Sequence, residues 1–239
     1  MKKQRILNII SLIFNICIVL FTIYAISWNF RNDIIREDDW FGFNGFKCLR
    51  FFTNLSNIFV AIAAFILIIY NIKNLINDEN NYPNWALKLK FTATVAVTVT
   101  FVTVIVFLSP MVAIYGKNVW ALYNKNNFFL HVLTPILAII SFVLCEKIKN
   151  FKLKDTLLGI IPVFLYSILY ITMVVFVGEA NGGWTDFYGF TFGGTSWAAF
   201  ISAVVMLSAT FGLSVSIYAI QKRIHKNDDK DSEKQIEQE

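Results

Sequence analysis

The chain has 239 residues, of which 56% are hydrophobic and only 15% are charged, with a formal net charge of +5. A soluble domain of this length needs a more polar surface, so the composition excludes an ordinary soluble enzyme or binding module. Apolar stretches of about 20 residues, long enough to cross a bilayer, recur along the chain. They predict an all-α membrane protein with several transmembrane helices.

Six apolar segments predict a six-helix bundle in residues 1–221. In chain order they cover residues 6–28, 51–72, 91–115, 127–145, 156–177 and 194–220. The first apolar run, about 23 residues long, exceeds that of a cleaved signal peptide and is expected to remain as a helix. The charged tail, residues 222–239, is expected to be disordered beyond its first turns.

Lysine and arginine residues are divided unevenly between the two sides of this predicted bundle. Of the 21 Lys and Arg residues, 15 lie in the amino terminus, the second and fourth connections and the tail. The other three connections hold 6. Positive charge in short loops accumulates on the cytoplasmic side, so both termini are predicted to be cytoplasmic, in the plasma membrane. The basic residues therefore follow membrane topology and anionic lipid, and no nucleic-acid partner is expected.

His131 is the only Asp, Glu, His, Lys or Arg residue within the six predicted segments. An ionisable side chain in hydrocarbon is costly unless it finds a partner, so His131 marks a candidate functional site. Pro135 follows four residues later and is expected to break the helix hydrogen bond to the His131 carbonyl, leaving that oxygen free.

The second segment opens with four polar side chains, those of Thr53, Asn54, Ser56 and Asn57. Thr53, Ser56 and Asn57 have the spacing i, i+3 and i+4, which places them on one helical face. The second and fourth segments both begin at the outer side of the predicted topology. Thr53 and His131 therefore lie at depths that differ by roughly one helical turn, and we expect them to face one outward-opening cavity.

These residue types suit acyl transfer or ester hydrolysis on a lipid-like substrate. A threonine hydroxyl becomes a nucleophile when a base takes its proton, and His131 is the only membrane histidine. The side-chain amides of Asn54 and Asn57 are candidate donors to an oxyanion. One histidine without a cluster of carboxylates or thiols offers too few ligands for a metal, so no cofactor is expected.

Two other interpretations remain open. In the first, a non-enzymatic carrier or receptor uses Asn54, Asn57 and His131 to bind a polar headgroup or to relay a proton. The lack of carboxylates within the six segments disfavours its proton-coupled form. In the second, the polar cluster only locks the second and fourth helices together, and each bond contributes about 0.6 kcal/mol.

Two stretches resemble the androgen-induced family of integral-membrane threonine hydrolases, and look closer still to its bacterial six-helix relatives. They are Phe51-Phe52-Thr53-Asn54-Leu55-Ser56-Asn57 and Asn127-Phe128-Phe129-Leu130-His131-Val132-Leu133-Thr134-Pro135-Ile136-Leu137. The resemblance implies that Thr53 is the nucleophile, that His131 is its base, and that the partner is a membrane lipid or fatty-acyl ester, as in hydrolases of fatty acid esters of hydroxy fatty acids. The abundance of Lys, Asn, Ile and Phe suggests an AT-rich bacterial genome.

The fifth connection carries a weaker likeness to this family in Gly182-Gly183-Trp184-Thr185-Asp186-Phe187-Tyr188, without the Tyr-Pro that follows there. Asp186 is a candidate to orient His131, or else a solvated acid of an exposed loop. Trp184 is expected either to line the cavity mouth or to anchor the loop at the membrane interface. The acidic and aromatic run over residues 37–43 is expected either to lie on the membrane surface or cover a cavity mouth, or else to be a solvated loop with an interfacial aromatic anchor.

Overall fold

The computed structural model describes residues 2–32, 45–79, 81–148 and 151–226. Across these ranges the chain forms helices and turns without any strand. Six described helices are long and apolar enough to span a membrane: α1 (Gln4–Arg31), α2 (Phe52–Asn77), α3 (Asn84–Ile114), α4 (Lys125–Cys145), α5 (Leu153–Val177) and α6 (Ser196–Ile224). The prediction of an all-helical chain with six membrane-length helices is confirmed.

The helices extend past the predicted segments because polar residues near their ends are buried between neighbours. On α2, Asn71 and Asn74 are at most 2% exposed, so the helix continues to Asn77 instead of ending at residue 72. Likewise, α3 begins at residue 84 instead of 91, which places Lys90 inside the helix. The charge of Lys90 predicts a position in a loop, and that prediction is wrong.

The third helix lies at the centre of the bundle, in contact with α2, α4, α5 and α6. Every residue over 90–100 is buried, and the run consists mainly of small Ala, Val and Thr side chains. Small side chains let helix backbones approach closely in a membrane. The Thr92 and Thr98 hydroxyls donate to the carbonyl oxygens of Lys88 and Thr94, at 2.9 and 2.7 Å, so they need no partner on another helix.

Three spanning helices contain a π-helical turn, over Val104–Leu108, Phe129–Leu133 and Thr172–Val177. In such a turn the backbone N–H bonds five residues back. Pro135 therefore frees the carbonyl of Leu130, which accepts a 3.1 Å hydrogen bond from Asn57 Nδ2 on α2. The expectation of a free His131 carbonyl assumes α-helical spacing, whereas the π-helical turn makes Leu130 the residue five positions before Pro135.

The two ends of the described chain lie at the same end of the bundle, which we call the termini side. Arg5 lies 3.8 Å from Asp78 at the end of α2, and His225 Nε2 lies 3.1 Å from the Val143 carbonyl of α4. The opposite end, where α2 and α4 begin, is called the site side. Helix α6 continues to residue 224, whereas residues 227–239 of the tail and the run over 37–43 lie outside the described residues.

Candidate active site

A cavity of about 50 Å³ on the site side is bordered by both Thr53 and His131. The other residues around this Thr–His cavity are Asn29, Phe51, Asn54, Leu108, Leu122, Asn127, Leu130 and Tyr188. Thr53 lies in the first turn of α2, and His131 lies in the π-helical turn of α4. The two side chains singled out in the sequence are thus brought to one small space, which has room for a few water molecules.

The imidazole of His131 is fixed by a backbone carbonyl. Its Nδ1 lies 2.6 Å from the carbonyl oxygen of Leu122, and the side chain is only 8% exposed. A carbonyl oxygen can only accept, so Nδ1 carries a proton. In the neutral ring the lone pair is then on Nε2, which receives no hydrogen bond from the described residues. This is the tautomer that a general base needs.

Thr53 does not bond His131 directly among the described residues. The phenol of Tyr188 borders the cavity beside both of them. Catalytic hydrogen bonds are often long or misaligned in a protein without substrate.

The remaining polar residues of the α2 cluster hold helices together. Asn57 Nδ2 donates to the Thr53 carbonyl at 2.7 Å, in addition to its bond to α4. Ser56 Oγ lies 2.9 Å from the Thr100 hydroxyl of α3. Asn54 Nδ2 donates to the Cys48 carbonyl at 2.7 Å. The amide donors expected to stabilise an oxyanion are therefore engaged with carbonyl oxygens of the protein.

One wall of the Thr–His cavity is a chain of paired asparagines. Asn126 donates to Asn29, Asn29 donates to Asn54 at 3.1 Å, and Asn127 donates to the Ala121 carbonyl at 2.9 Å. All four asparagines are at most 8% exposed. A buried polar chain with its groups satisfied fixes the side chains in one arrangement, so this wall is rigid.

The loop between α5 and α6 is organised by Asp186, which does not orient His131. Its carboxylate accepts hydrogen bonds from the Tyr170 hydroxyl at 2.6 Å, the backbone N–H of Phe190 at 2.9 Å and both the N–H and hydroxyl of Thr191. Burial raises the pKa of Asp186, but these hydrogen bonds outweigh it and leave the pKa below its ordinary value. The role expected for Asp186 is filled by the Leu122 carbonyl.

Trp184 belongs to an aromatic cluster next to the cavity and does not border the cavity itself. Its ring packs 6.3 Å from Tyr170 and 5.9 Å from Phe187, measured between centroids, and the Arg50 guanidinium lies 5.7 Å from its centroid. The indole is 9% exposed. Trp184 therefore supports the loop that carries Tyr188.

Thr53 also borders a second cavity of about 50 Å³, on the side away from His131. Phe52 and Tyr166 are shared between this second cavity and a groove of about 370 Å³ between α2 and α5. Leu165 and Leu169 line the groove and are 60% and 43% exposed. The Thr–His cavity, the second cavity and the groove are therefore neighbours, and the groove reaches the apolar outer surface of the bundle.

A second polar cluster, on the termini side, contains the charged residues Lys90 and Glu146, each with 0% exposure. The Glu146 Oε1 atom accepts hydrogen bonds from Ser11 at 3.0 Å, Asn15 at 2.9 Å and Ser141 at 2.5 Å. Asn15 connects the two charges, because its Oδ1 accepts a hydrogen bond from Lys90. Within the described residues, Oε2 of Glu146 has no partner. No sequence signal beyond the residue types themselves points to this cluster.

Across residues 2–32, 45–79, 81–148 and 151–226, no three His, Cys, Asp or Glu side chains come together as metal ligands. No protein-family model, curated protein or solved structure matches this chain.

Proposed function

We propose that the protein is an integral-membrane hydrolase of lipid-like esters, with Thr53 as the nucleophile and His131 as its base. The observation that carries this proposal is the shared cavity, which Thr53 and His131 both border, together with the Nε2 of His131, which receives no hydrogen bond from the described residues. A buried membrane histidine with one nitrogen fixed and the other unengaged has the arrangement of a general base.

The reaction would proceed in two stages. Thr53 Oγ1 attacks the ester carbonyl carbon while Nε2 of His131 takes the hydroxyl proton, and the carbonyl π electrons move to oxygen. The tetrahedral intermediate collapses with loss of the alcohol, which takes the proton back from Nε2. Water then attacks the acyl-threonine by the same route, and the acid leaves.

The apolar groove between α2 and α5 favours a substrate with a hydrocarbon chain. The groove is open to the outer surface of the bundle and is walled mainly by Leu, Ile and Phe side chains. A chain lying there would extend past Phe52 and Tyr166 toward Thr53.

With Lys90 inside α3, 14 Lys and Arg residues remain in the parts of the chain predicted to be cytoplasmic, against 6 on the other side. The charge bias thus still favours a cavity in the outer leaflet of the plasma membrane and cytoplasmic termini.

The first experiment is labelling by a fluorophosphonate probe in native membranes. Wild type, Thr53→Ala, Thr53→Ser and His131→Ala are compared at equal amounts of folded protein. We expect labelling of wild type and of Thr53→Ser, and none of the two alanine variants. Full labelling of a folded Thr53→Ala variant would exclude Thr53 as the nucleophile, and an unlabelled wild type would argue against the hydrolase.

A second candidate function is a proton-linked carrier, and the buried Glu146 favours it. Such carriers hold ionisable groups within the membrane, and the six predicted segments contain no carboxylate. Glu146 and Lys90 nevertheless provide one carboxylate and one ammonium inside the bundle. The test is proton-dependent uptake of a solute into liposomes that contain the protein. Uptake that persists in Thr53→Ala but is lost in Glu146→Gln would favour the carrier over the hydrolase.

A further inference from the structure

Tyr188 has a position beside the proposed nucleophile that the sequence did not predict. Its hydroxyl oxygen accepts a 3.0 Å hydrogen bond from the backbone N–H of Phe52, the first residue of α2. The side chain borders the cavities on both sides of Thr53 and is 7% exposed. Among the residues that the structure describes, Thr53, Leu108 and Tyr188 border both cavities.

Hydrogen bonds and ring packing fix the loop around Tyr188, and they hold the phenol in its position beside Thr53. The backbone N–H of Tyr188 donates to the Tyr170 hydroxyl at 3.2 Å, and Tyr170 itself donates to Asp186. The Tyr188 ring packs against Tyr170 and Phe190, with centroids 5.5 and 5.3 Å apart. A side chain fixed by packing and hydrogen bonds is preorganised, which is the property required of a group that stabilises a transition state.

The hydrogen bond from Phe52 leaves the phenol proton of Tyr188 available for donation. Burial raises the pKa of Tyr188 to about 12, although the hydrogen bond from Phe52 and the neighbouring Tyr166 and Thr53 act in the opposite direction. The phenol is therefore protonated at neutral pH. An oxygen that accepts a hydrogen bond from a helix N-terminus is also a stronger donor through its own O–H, because such bonds polarise one another.

We infer that Tyr188 is a further catalytic residue, whose phenol donates a hydrogen bond to the oxyanion that forms when Thr53 attacks an ester carbonyl. The inference rests on the proposed hydrolase function and identifies a donor other than the amide of Asn57, whose Nδ2 already donates to two carbonyl oxygens. The Tyr188 proton stays on its oxygen throughout. The proton that moves is that of Thr53, which passes to Nε2 of His131 and then to the leaving alcohol.

The first test compares Tyr188→Phe with Tyr123→Phe in the full-length protein. Tyr123 is a matched control on the site side, since its hydroxyl lies 2.6 Å from Ser109 Oγ and it borders neither cavity. We expect Tyr188→Phe to lower the maximal rate of fluorophosphonate labelling by about 10²–10³-fold, the effect of losing one oxyanion donor. The probe concentration for half-maximal rate should not change, and Tyr123→Phe should behave as wild type.

The second test separates oxyanion stabilisation from capping of α2, and does not require a substitution that removes the hydroxyl. Tyr188 is replaced by difluorotyrosine, whose phenol ionises at lower pH. As a cap, the oxygen needs only to accept from Phe52, and ionisation strengthens that bond. As an oxyanion donor it needs its proton, so we expect the labelling rate of this variant to fall as pH rises through the lowered pKa, while wild type stays level.

The outcomes distinguish this inference from the proposed function. If wild type is labelled, Thr53→Ala is not, and Tyr188→Phe reacts as fast as Tyr123→Phe, then Tyr188 is not the oxyanion donor although the hydrolase stands. A difluorotyrosine variant whose rate follows the wild-type pH profile would likewise exclude Tyr188 as the donor and assign it to capping alone. If wild type itself is not labelled, the proposed function and this inference fall together.

Discussion

Removing either buried charge on the termini side should strongly lower the free energy of unfolding. Removing both charges should lower it by less than the sum of the two single effects. The two substitutions are Lys90→Met and Glu146→Gln, which keep the approximate size of each side chain. Both residues have 0% exposure, and Asn15 bonds to each of them. Deleting one member of a buried charge pair leaves the other charge uncompensated, at a cost of about 3–5 kcal/mol.

The structure ranks the two single variants within that range. In Lys90→Met the carboxylate of Glu146 keeps its hydrogen bonds from Ser11, Asn15 and Ser141, so the loss should lie near the lower limit, about 3 kcal/mol. In Glu146→Gln the ammonium of Lys90 keeps only the Asn15 oxygen, so we expect about 5 kcal/mol. The double variant should fall short of additivity by at least about 2 kcal/mol, because groups in one network couple.

The measurement is the free energy of unfolding in mixed micelles, for wild type, both single variants and the double variant. Lys88→Met is the matched control, two residues away on the same helix. The Lys88 ammonium lies 2.9 Å from Asp155 but its side chain is 33% exposed, so its loss should cost at most about 1 kcal/mol. Single variants no less stable than Lys88→Met, with additive effects in the double variant, would refute a coupled buried pair.

Three further predictions concern packing, pH and the groove. Gly159→Ala should destabilise by about 1–3 kcal/mol in thermal unfolding, because its Cβ would lie 2.5 Å from a serine hydroxyl of α6, whereas Gly212→Ala, with nothing within 4 Å, should be neutral or stabilising. Asp186→Asn should lower the melting temperature at neutral pH. The pKa of Asp186 is lowered on folding, so its stabilisation is present above the unfolded pKa of about 3.9 and is lost as pH falls through the folded value; the difference from wild type should close in acid. Leu55→Trp should slow hydrolysis of long-chain esters while probe labelling persists, and Ile69→Trp on the exposed face of α2 should leave both unchanged.

Hydrophobicity alone was enough to predict six helices, because each needs about 20 apolar residues whatever its neighbours are. The ends of the helices were harder to predict. A polar residue ends an apolar stretch of sequence, but the helix can continue through that residue when the residue is buried inside the bundle. Lys88 and Lys90 illustrate the difficulty, since both stand in the same Leu-Lys-Leu-Lys-Phe run. One reaches Asp155 near the surface and the other is fully buried, and only the direction of the helix face decides between them.

The candidate site was predictable in its residue types but not in its hydrogen bonds. His131 stood out because an ionisable group among apolar residues is rare in membrane helices. Its partner, a carbonyl oxygen of Leu122, has no sequence signature, because every residue carries a backbone carbonyl. The same holds for Tyr188, one of several aromatic residues in its loop, whose position depends on Asp186 and Tyr170.

The distribution of hydrogen bonds around the Thr–His cavity narrows the residues that can act in chemistry. The asparagines of its wall donate to one another or to carbonyl oxygens, so their amides are fixed and already engaged. Nε2 of His131 receives no hydrogen bond from the described residues and can take a proton, and the phenol of Tyr188 can donate a hydrogen bond. Both border the same space as the Thr53 hydroxyl. A purely structural polar cluster needs no cavity, whereas here a base, a hydroxyl and a phenol border one cavity, and that favours catalysis over helix locking.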